Sequence, residues 1–180
     1  MINESSMAMA PKGVEQLMDQ NDRARYLVDT YADTILRLSF AYLKNTADAQ
    51  DICQTVFVKL LTAPREFESP EHEKAWILRT AANACKDLLK SPWRKRTCGL
   101  EVCDEQPAPS PEDGSVLAAV GTLPPRYRAV IHLYYYEGYR ADEIGKILGV
   151  PTATVHTRLA RGRARLKTLL GGIEEYGKSV

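Results

Sequence analysis

From Tyr26 onward, apolar residues return every three or four positions, the repeat of a helix with one buried face. Leu27, Tyr31, Ile35, Leu38 and Tyr42 share the first such face. Asn45 ends that pattern, and Thr46 can cap the next helix. The next core face carries Ile52, Val56, Phe57, Leu60 and Leu61, and Pro64 stops it. Residues 64–73, PREFESPEHE, read as a polar loop. A third helix is expected from about Lys74 to Lys90, with Ile77, Leu78, Ala81, Cys85, Leu88 and Leu89 inward. Residues 98–113 combine acid, proline and serine with few apolar positions, the composition of a linker. Helical patterning resumes near Ser115, breaks at Leu123-Pro124-Pro125, and runs on through Tyr136. No segment alternates with period two, so the expected fold is all-α: two small helical domains joined by a flexible acidic linker. The boundaries read as a loosely ordered N-terminus at 1–22, a first domain at 23–97, the linker at 98–114, a second domain at 115–170 and a tail at 171–180.

The pattern over 141–167, ADEIGKILGVPTATVHTRLARGRARLK, is more specific. Ile144, Leu148, Val155 and Leu159 form a seam across two helices. Gly145 permits close backbone approach, and Gly149 supplies the left-handed residue that closes the first helix. Thr152 is a candidate N-cap for the second. That helix carries Arg158, Arg161, Arg163, Arg165 and Lys167 with no acid between 152 and 170. Such a layout predicts a helix-turn-helix whose second helix enters the major groove of DNA, with His156 and Thr157 near its start.

Composition bounds the rest. An apolar content of 44% suits a chain that buries a core, and no run of about 18 apolar residues predicts a membrane span. The N-terminal residues lack the pattern of a secretory signal, so a cytoplasmic location is expected. Net charge is only +1, but residues 74–96 hold seven Lys/Arg against Asp87, and residues 122–170 hold nine against three acids. Residues 98–117 between them hold five acids and no base. Two basic blocks suggest two contacts with a polyanion.

In the third helix Trp76, Arg79, Asn83, Lys86 and Lys90 fall on one stripe. An aromatic ring among an amide and cations suits unpaired nucleic acid. A core tryptophan beside a solvated cationic face fits the same spacing equally well. In the second helix Asp48, Asp51, Gln54 and Val58 form an outer face. That face reads either as a capping acid with polar surface or as a docking site for a protein, and periodicity does not choose. Tyr134-Tyr135-Tyr136 point in different directions, which favours core packing and surface mixing over a stacking platform. Cys53, Cys85, Cys98 and Cys103 form no C-x-x-C pair and do not group with His72, His132 or His156, so no metal site or cofactor is expected. No phosphate loop or nucleophile motif is present, so a non-enzymatic protein is expected.

Three motifs together resemble one family. DAQDICQTVF (48–57), AWILRTAANACKDLL (75–89) and LPPRYRAVIHLYYYEGYRADEIGKILGVPTATVHTRLARGRARL (123–166) are similar, in order and spacing, to bacterial RNA polymerase sigma factors of the sigma-70 family, extracytoplasmic-function (ECF) group. The resemblance implies a promoter-specificity subunit. Asp48, Asp51 and Gln54 would then face the core polymerase, its β and β′ subunits. Phe67, Trp76, Arg79, Asn83, Lys86, Asp87 and Lys90 would engage the minus-10 element and its melted non-template strand. Thr154, His156, Thr157, Arg158, Arg161, Arg163 and Arg165 would read the minus-35 element as duplex. An anti-sigma factor, sometimes a membrane tether, is implied as a further partner, without direct membrane insertion of this chain. Gln50 and Thr55 stand where the family favours Glu, His156 where it favours Arg or Lys, Thr157 where it favours Ser, and Arg140 where it favours Ser or Thr. The rival reading is a stand-alone helix-turn-helix transcriptional regulator binding paired half-sites as a dimer, which would have no use for the 48–57 motif. A polymerase-associated protein without promoter specificity is a second rival.

Overall fold

A computed structural model describes residues 20–62, 66–91 and 116–176 of the chain. The expected linker, Pro64, Cys98, Cys103 and most of the expected N-terminal segment lie outside the described residues. Seven helices and no strand occur among them: α1 Gln20–Leu43, α2 Thr46–Thr62, α3 Pro70–Lys90, α4 Val116–Thr122, α5 Pro125–Tyr135, α6 Ala141–Leu148 and α7 Thr152–Tyr176.

The α1 face forms as expected, with Leu27, Tyr31, Ile35, Leu38 and Tyr42 all buried. The helix closes through Lys44, which takes a left-handed φ of 53° and donates its N–H to Phe40 O at 2.9 Å. Asn45, rather than Thr46, caps α2: its Oδ1 accepts from the Asp48 N–H at 3.0 Å. On α2, Ile52, Val56 and Leu60 are buried, whereas Phe57 is half-buried and Leu61 is 42% exposed. Leu61 is one residue, and so about 100° of helix rotation, past Leu60, outside the stripe that α1 covers.

The polar loop expected at 64–73 is shorter than its composition suggested. Ser69 Oγ accepts from the His72 N–H at 3.2 Å, Pro70 takes the first helical position, and Glu71 and Glu73 occupy the first turn. A proline with no N–H to lose and acids facing the helix dipole are what a helix start favours. Within α3 Ile77, Leu78, Ala81 and Cys85 are fully covered, and Leu88 and Leu89 are half-buried. Glu73 is buried and accepts from Tyr31 Oη at 2.8 Å, tying α3 to α1; burial first, then this carboxylate, pushes the Tyr31 phenol well above its ordinary range.

In the second unit Ile144, Leu148, Val155 and Leu159 make the expected seam. Gly149 has φ 66°. Thr152 is the first residue of α7, preceded by Pro151, whose carbonyl accepts the Thr154 N–H; it is not a cap. At the start of α6, Glu143 Oε2 accepts from the Arg140 N–H at 2.8 Å. Arginine has no acceptor atom, so the reciprocal half of a capping box is not made.

Gly145 lets the turn close: a Cβ there would stand 2.8 Å from Val150 O and 3.5 Å from Thr152 N. Alanine normally gains up to about 1 kcal/mol over glycine inside a helix. Here the clashing atom is backbone, and overpacking of that kind costs about 1–3 kcal/mol. Gly145→Ala is therefore expected to lower the urea midpoint; a raised midpoint would mean that the turn gives way at no cost.

The two units share one buried cluster, in which α1 packs on α5 and α3 on α6. The face that helix spacing assigned to nucleic acid on α3 thus lies beside the helix-turn-helix.

Candidate nucleic-acid and polymerase interface

Three surfaces carry the expected residues. On α2, Asp51 and Gln54 are exposed and Asp48 is half-buried near its cap. Val58 continues this face and is 58% exposed. Acids and an amide beside an uncovered apolar side chain suit a helical protein partner with basic groups.

On α3, Arg79, Asn83, Asp87 and Lys90 are exposed. Trp76 is half-buried against Phe67, with ring centroids 5.8 Å apart, and Phe67 in turn meets His72 edge-on at 5.7 Å. The loop before α3 and the helix face therefore form one aromatic corner, in which Trp76 is partly packed and partly exposed. Lys86 is drawn out of the stripe. Its Nζ donates to Leu148 O, the last carbonyl of α6, at 2.7 Å and lies 3.4 Å from Asn83 Oδ1. Burial, then the charges of Arg158, Lys90 and Arg79, lowers its ammonium below the usual lysine range.

On α7, His156, Thr157, Arg161, Arg163 and Arg165 are exposed, and Thr154 and Arg158 are half-buried. Thr157 Oγ1 donates to Ala153 O at 2.9 Å. Arg163 lies over the rings of Tyr134 and Tyr135, at 5.5 and 5.7 Å, and Arg165 over Tyr127 at 5.1 Å. Tyr134, Tyr135 and Tyr136 are all exposed, so the core packing expected for them does not occur. Tyr134 and Tyr135 hold Arg163 instead, a cation–π arrangement that narrows the swing of a long side chain, while Tyr136 stacks on His132. Helical spacing within one element carries no sign of it, because the partners sit on different helices.

Where the units meet, Glu137 is 6% exposed at its side chain and gathers two cations and an imidazole from three places. Lys74 Nζ of α3 lies 3.2 Å from its carboxylate, Arg37 Nε of α1 3.9 Å, and His132 Nε2 of α5 3.6 Å. His132 also stacks on Tyr136 at 5.6 Å. Burial lowers the His132 pKa; the Glu137 charge opposes this and the Arg37 charge adds to it. The folded protein thus holds fewer protons than the unfolded chain once pH falls below the usual histidine value of about 6.5. His132 therefore contributes stability above that pH and loses it as pH falls from there through its lowered folded value. Thermal midpoints from pH 8 to pH 5 should decline less in His132→Gln than in the parent; parallel curves would remove His132 as a cause.

The family described as sigma-70 region 2 matches residues 27–95, and the family described as sigma-70, region 4 matches residues 113–166. The chain is 30% identical over 184 residues to the ECF RNA polymerase sigma factor SigW of Bacillus subtilis, covering 90% of this chain and 97% of that protein. It is 33% identical over 155 residues to the ECF RNA polymerase sigma factor SigE of Mycolicibacterium smegmatis, covering 80% of this chain and spanning 60% of that protein. The fold is similar to that of the sigma factor RpoE of Bartonella quintana, solved in complex with the anti-sigma factor NepR (TM-score 0.63, 21% identity, 84% of this chain and 98% of that one). It is similar also to CnrH, solved in complex with the cytosolic domain of CnrY (TM-score 0.60, 24% identity, 86% and 90%). With both sigma-70 regions in order along it and SigW matched over nearly its whole length, the chain belongs to the ECF group of the sigma-70 family of RNA polymerase sigma factors.

Proposed function

We propose that this chain binds core RNA polymerase through its β and β′ subunits and directs promoter-specific transcription initiation, with no catalytic step of its own. The α2 face of Asp48, Asp51 and Gln54 docks on the polymerase. Phe67, Trp76, Arg79, Asn83, Lys86, Asp87 and Lys90 hold the minus-10 element and assist its opening, the aromatic corner taking an unstacked base. Thr154, His156, Thr157, Arg158, Arg161, Arg163 and Arg165 meet the minus-35 duplex, with Arg163 and Arg165 held outward by their tyrosines.

The observation that carries this reading is the pairing of two cationic helix faces, on α3 and α7, with a separate face of α2 that bears Asp48 and Asp51, on one chain that matches sigma-70 regions 2 and 4 in order. It has a geometric consequence. Elements named for positions 35 and 10 lie about 25 base pairs apart, roughly 85 Å at 3.4 Å per step. In the structure Lys86 and Arg158 line a single cleft. The two units must part before both elements are engaged, and the polymerase fixes their separation. A partner such as an anti-sigma factor, itself cytoplasmic or membrane-tethered, would act by holding the units together. No described helix of the chain is long and apolar enough to cross a membrane.

Run-off transcription with core bacterial polymerase and a genomic promoter library, with and without the protein, tests the reading. New discrete start sites sharing two upstream motifs at fixed spacing are expected. Binding to core without new starts would point to a polymerase-associated regulator, and neither result would leave a stand-alone DNA binder.

A further inference from the structure

The cleft between the two units has a volume of about 420 Å³ and collects cations from three helices: Lys86 and Lys90 of α3, Arg126 of α5 and Arg158 of α7. Its other described lining residues, among them Tyr42 and Pro124, bring no carboxylate. The like charges feel one another. After burial, Arg158, Lys90 and Arg79 depress the Lys86 ammonium, with Asp87 opposing them as the smallest contribution, and the Arg158 charge also reaches the buried Tyr42 phenol. Lys86 is moreover fixed in place by its bond to Leu148 O. Gathering cations over an apolar floor opposes the packed arrangement unless an anion enters. The space holds the equivalent of about a dozen waters, enough for a few linked phosphate groups. It is too small for a duplex, whose major groove alone is about 12 Å wide.

We propose that this cleft binds a small oligophosphate anion, bridging α3 of the first unit to α5 and α7 of the second. Two arginines offer forked donors that match phosphate oxygens, and two lysines supply point charges. The anion neutralises the repulsion and clamps the units together. Resting on the promoter-subunit reading, it also withdraws Lys86, Lys90 and Arg158 from DNA, so that anion and promoter compete.

Calorimetric titration of the full chain with inorganic triphosphate at constant ionic strength tests the binding without polymerase or promoter. Its failure would leave the promoter-subunit reading standing, and failed transcription would leave the cleft standing. One-to-one saturable binding is expected. Arg126→Glu and Lys90→Glu, both at exposed positions, should each weaken it at least about tenfold through loss of a charge-assisted contact. Lys59→Glu, the same charge change on the exposed side of α2, should leave it within about twofold. A nucleoside triphosphate binding more tightly than inorganic triphosphate, with the same Arg126 dependence, would identify a nucleotide as the source; equal affinity would assign binding to the phosphates alone. Equal weakening by Lys59→Glu, or no saturation, would reduce the effect to general attraction and overturn the proposal. So would an oligothymidine that displaces triphosphate with the same dependence on Arg126, since nucleic acid would then be the occupant.

Discussion

Arg128→Ala is expected to cost about 3–5 kcal/mol of unfolding free energy, the range seen when one partner of a buried charged network is removed. Arg128 is only 7% exposed, and its guanidinium serves carbonyls from two helix ends. Nε donates to Ala41 O at 2.6 Å and Nη2 to Tyr42 O at 3.0 Å, at the end of α1. Nη1 donates to Gly121 O at 3.2 Å and also to Leu123 O, around the end of α4. The last turn of α1 has no basic residue of its own, so this guanidinium supplies both the missing donors and the positive charge its dipole favours. Each carbonyl left without a partner costs about 1–3 kcal/mol if it stays dry. The neighbouring groove, which Arg128 itself helps to line, admits water to some of them, and this keeps the total below the simple sum. Arg128→Lys should recover less than half of the loss, because one ammonium cannot span two helix ends in the plane of a fork. Urea unfolding of the two variants gives the measurement. A loss below about 1 kcal/mol for alanine would show that water replaces the guanidinium outright.

That bond network also marks where sequence reading stops. Periodicity located α1, the α6–α7 turn and the buried seams, because a helix repeats its own face every turn and the signal lies within one element. It gave the Gly149 turn for the same reason: a left-handed closing residue is local chemistry. Helix starts were harder. Asn45 and Thr46 are both good caps, as Ser69 and Pro70 are good loop residues, so composition alone placed α2 one residue and α3 four residues away from their true beginnings. Contacts between elements left no trace. Arg128 meets Ala41 across 87 positions, and Glu137 draws on Arg37 and Lys74 from different helices. The tyrosines at 134 and 135 are exposed for a reason that only the neighbouring α7 supplies. The candidate site was legible as three stripes; that two of them face a common cleft was not.

Because Arg158 of the minus-35 stripe lines the cleft with Lys86 and Lys90, loosening the packed arrangement should raise DNA binding by the free protein. Glu137→Lys is the variant that tests this. The native carboxylate, nearly covered, stands among the cations of Lys74 and Arg37 and the His132 imidazole; a lysine there would add a third positive group to a buried site. Reversing the nearly covered acid of such a cluster, in which Arg37 also pairs with Asp33, costs about 3–5 kcal/mol, which the protein can escape by separating the units, since the cluster lies between them and not inside either core. A protein whose binding-competent form is a minor fraction binds more weakly by that fraction, and a shift of about 1.4 kcal/mol toward the open form restores tenfold. Fluorescence anisotropy with a duplex carrying a minus-35 element should therefore show at least about tenfold tighter binding by Glu137→Lys, with a larger radius of gyration in solution scattering. Added positive charge attracts DNA by itself, so Asp29→Lys, the same change on the exposed side of α1, sets the baseline. Bound to core polymerase, which fixes the separation of the units, Glu137→Lys should transcribe within about twofold of the parent. An expanded variant with affinity no higher than the Asp29→Lys baseline would mean that the packed arrangement does not hide the minus-35 surface. Promoter access would then be set by docking on the polymerase alone.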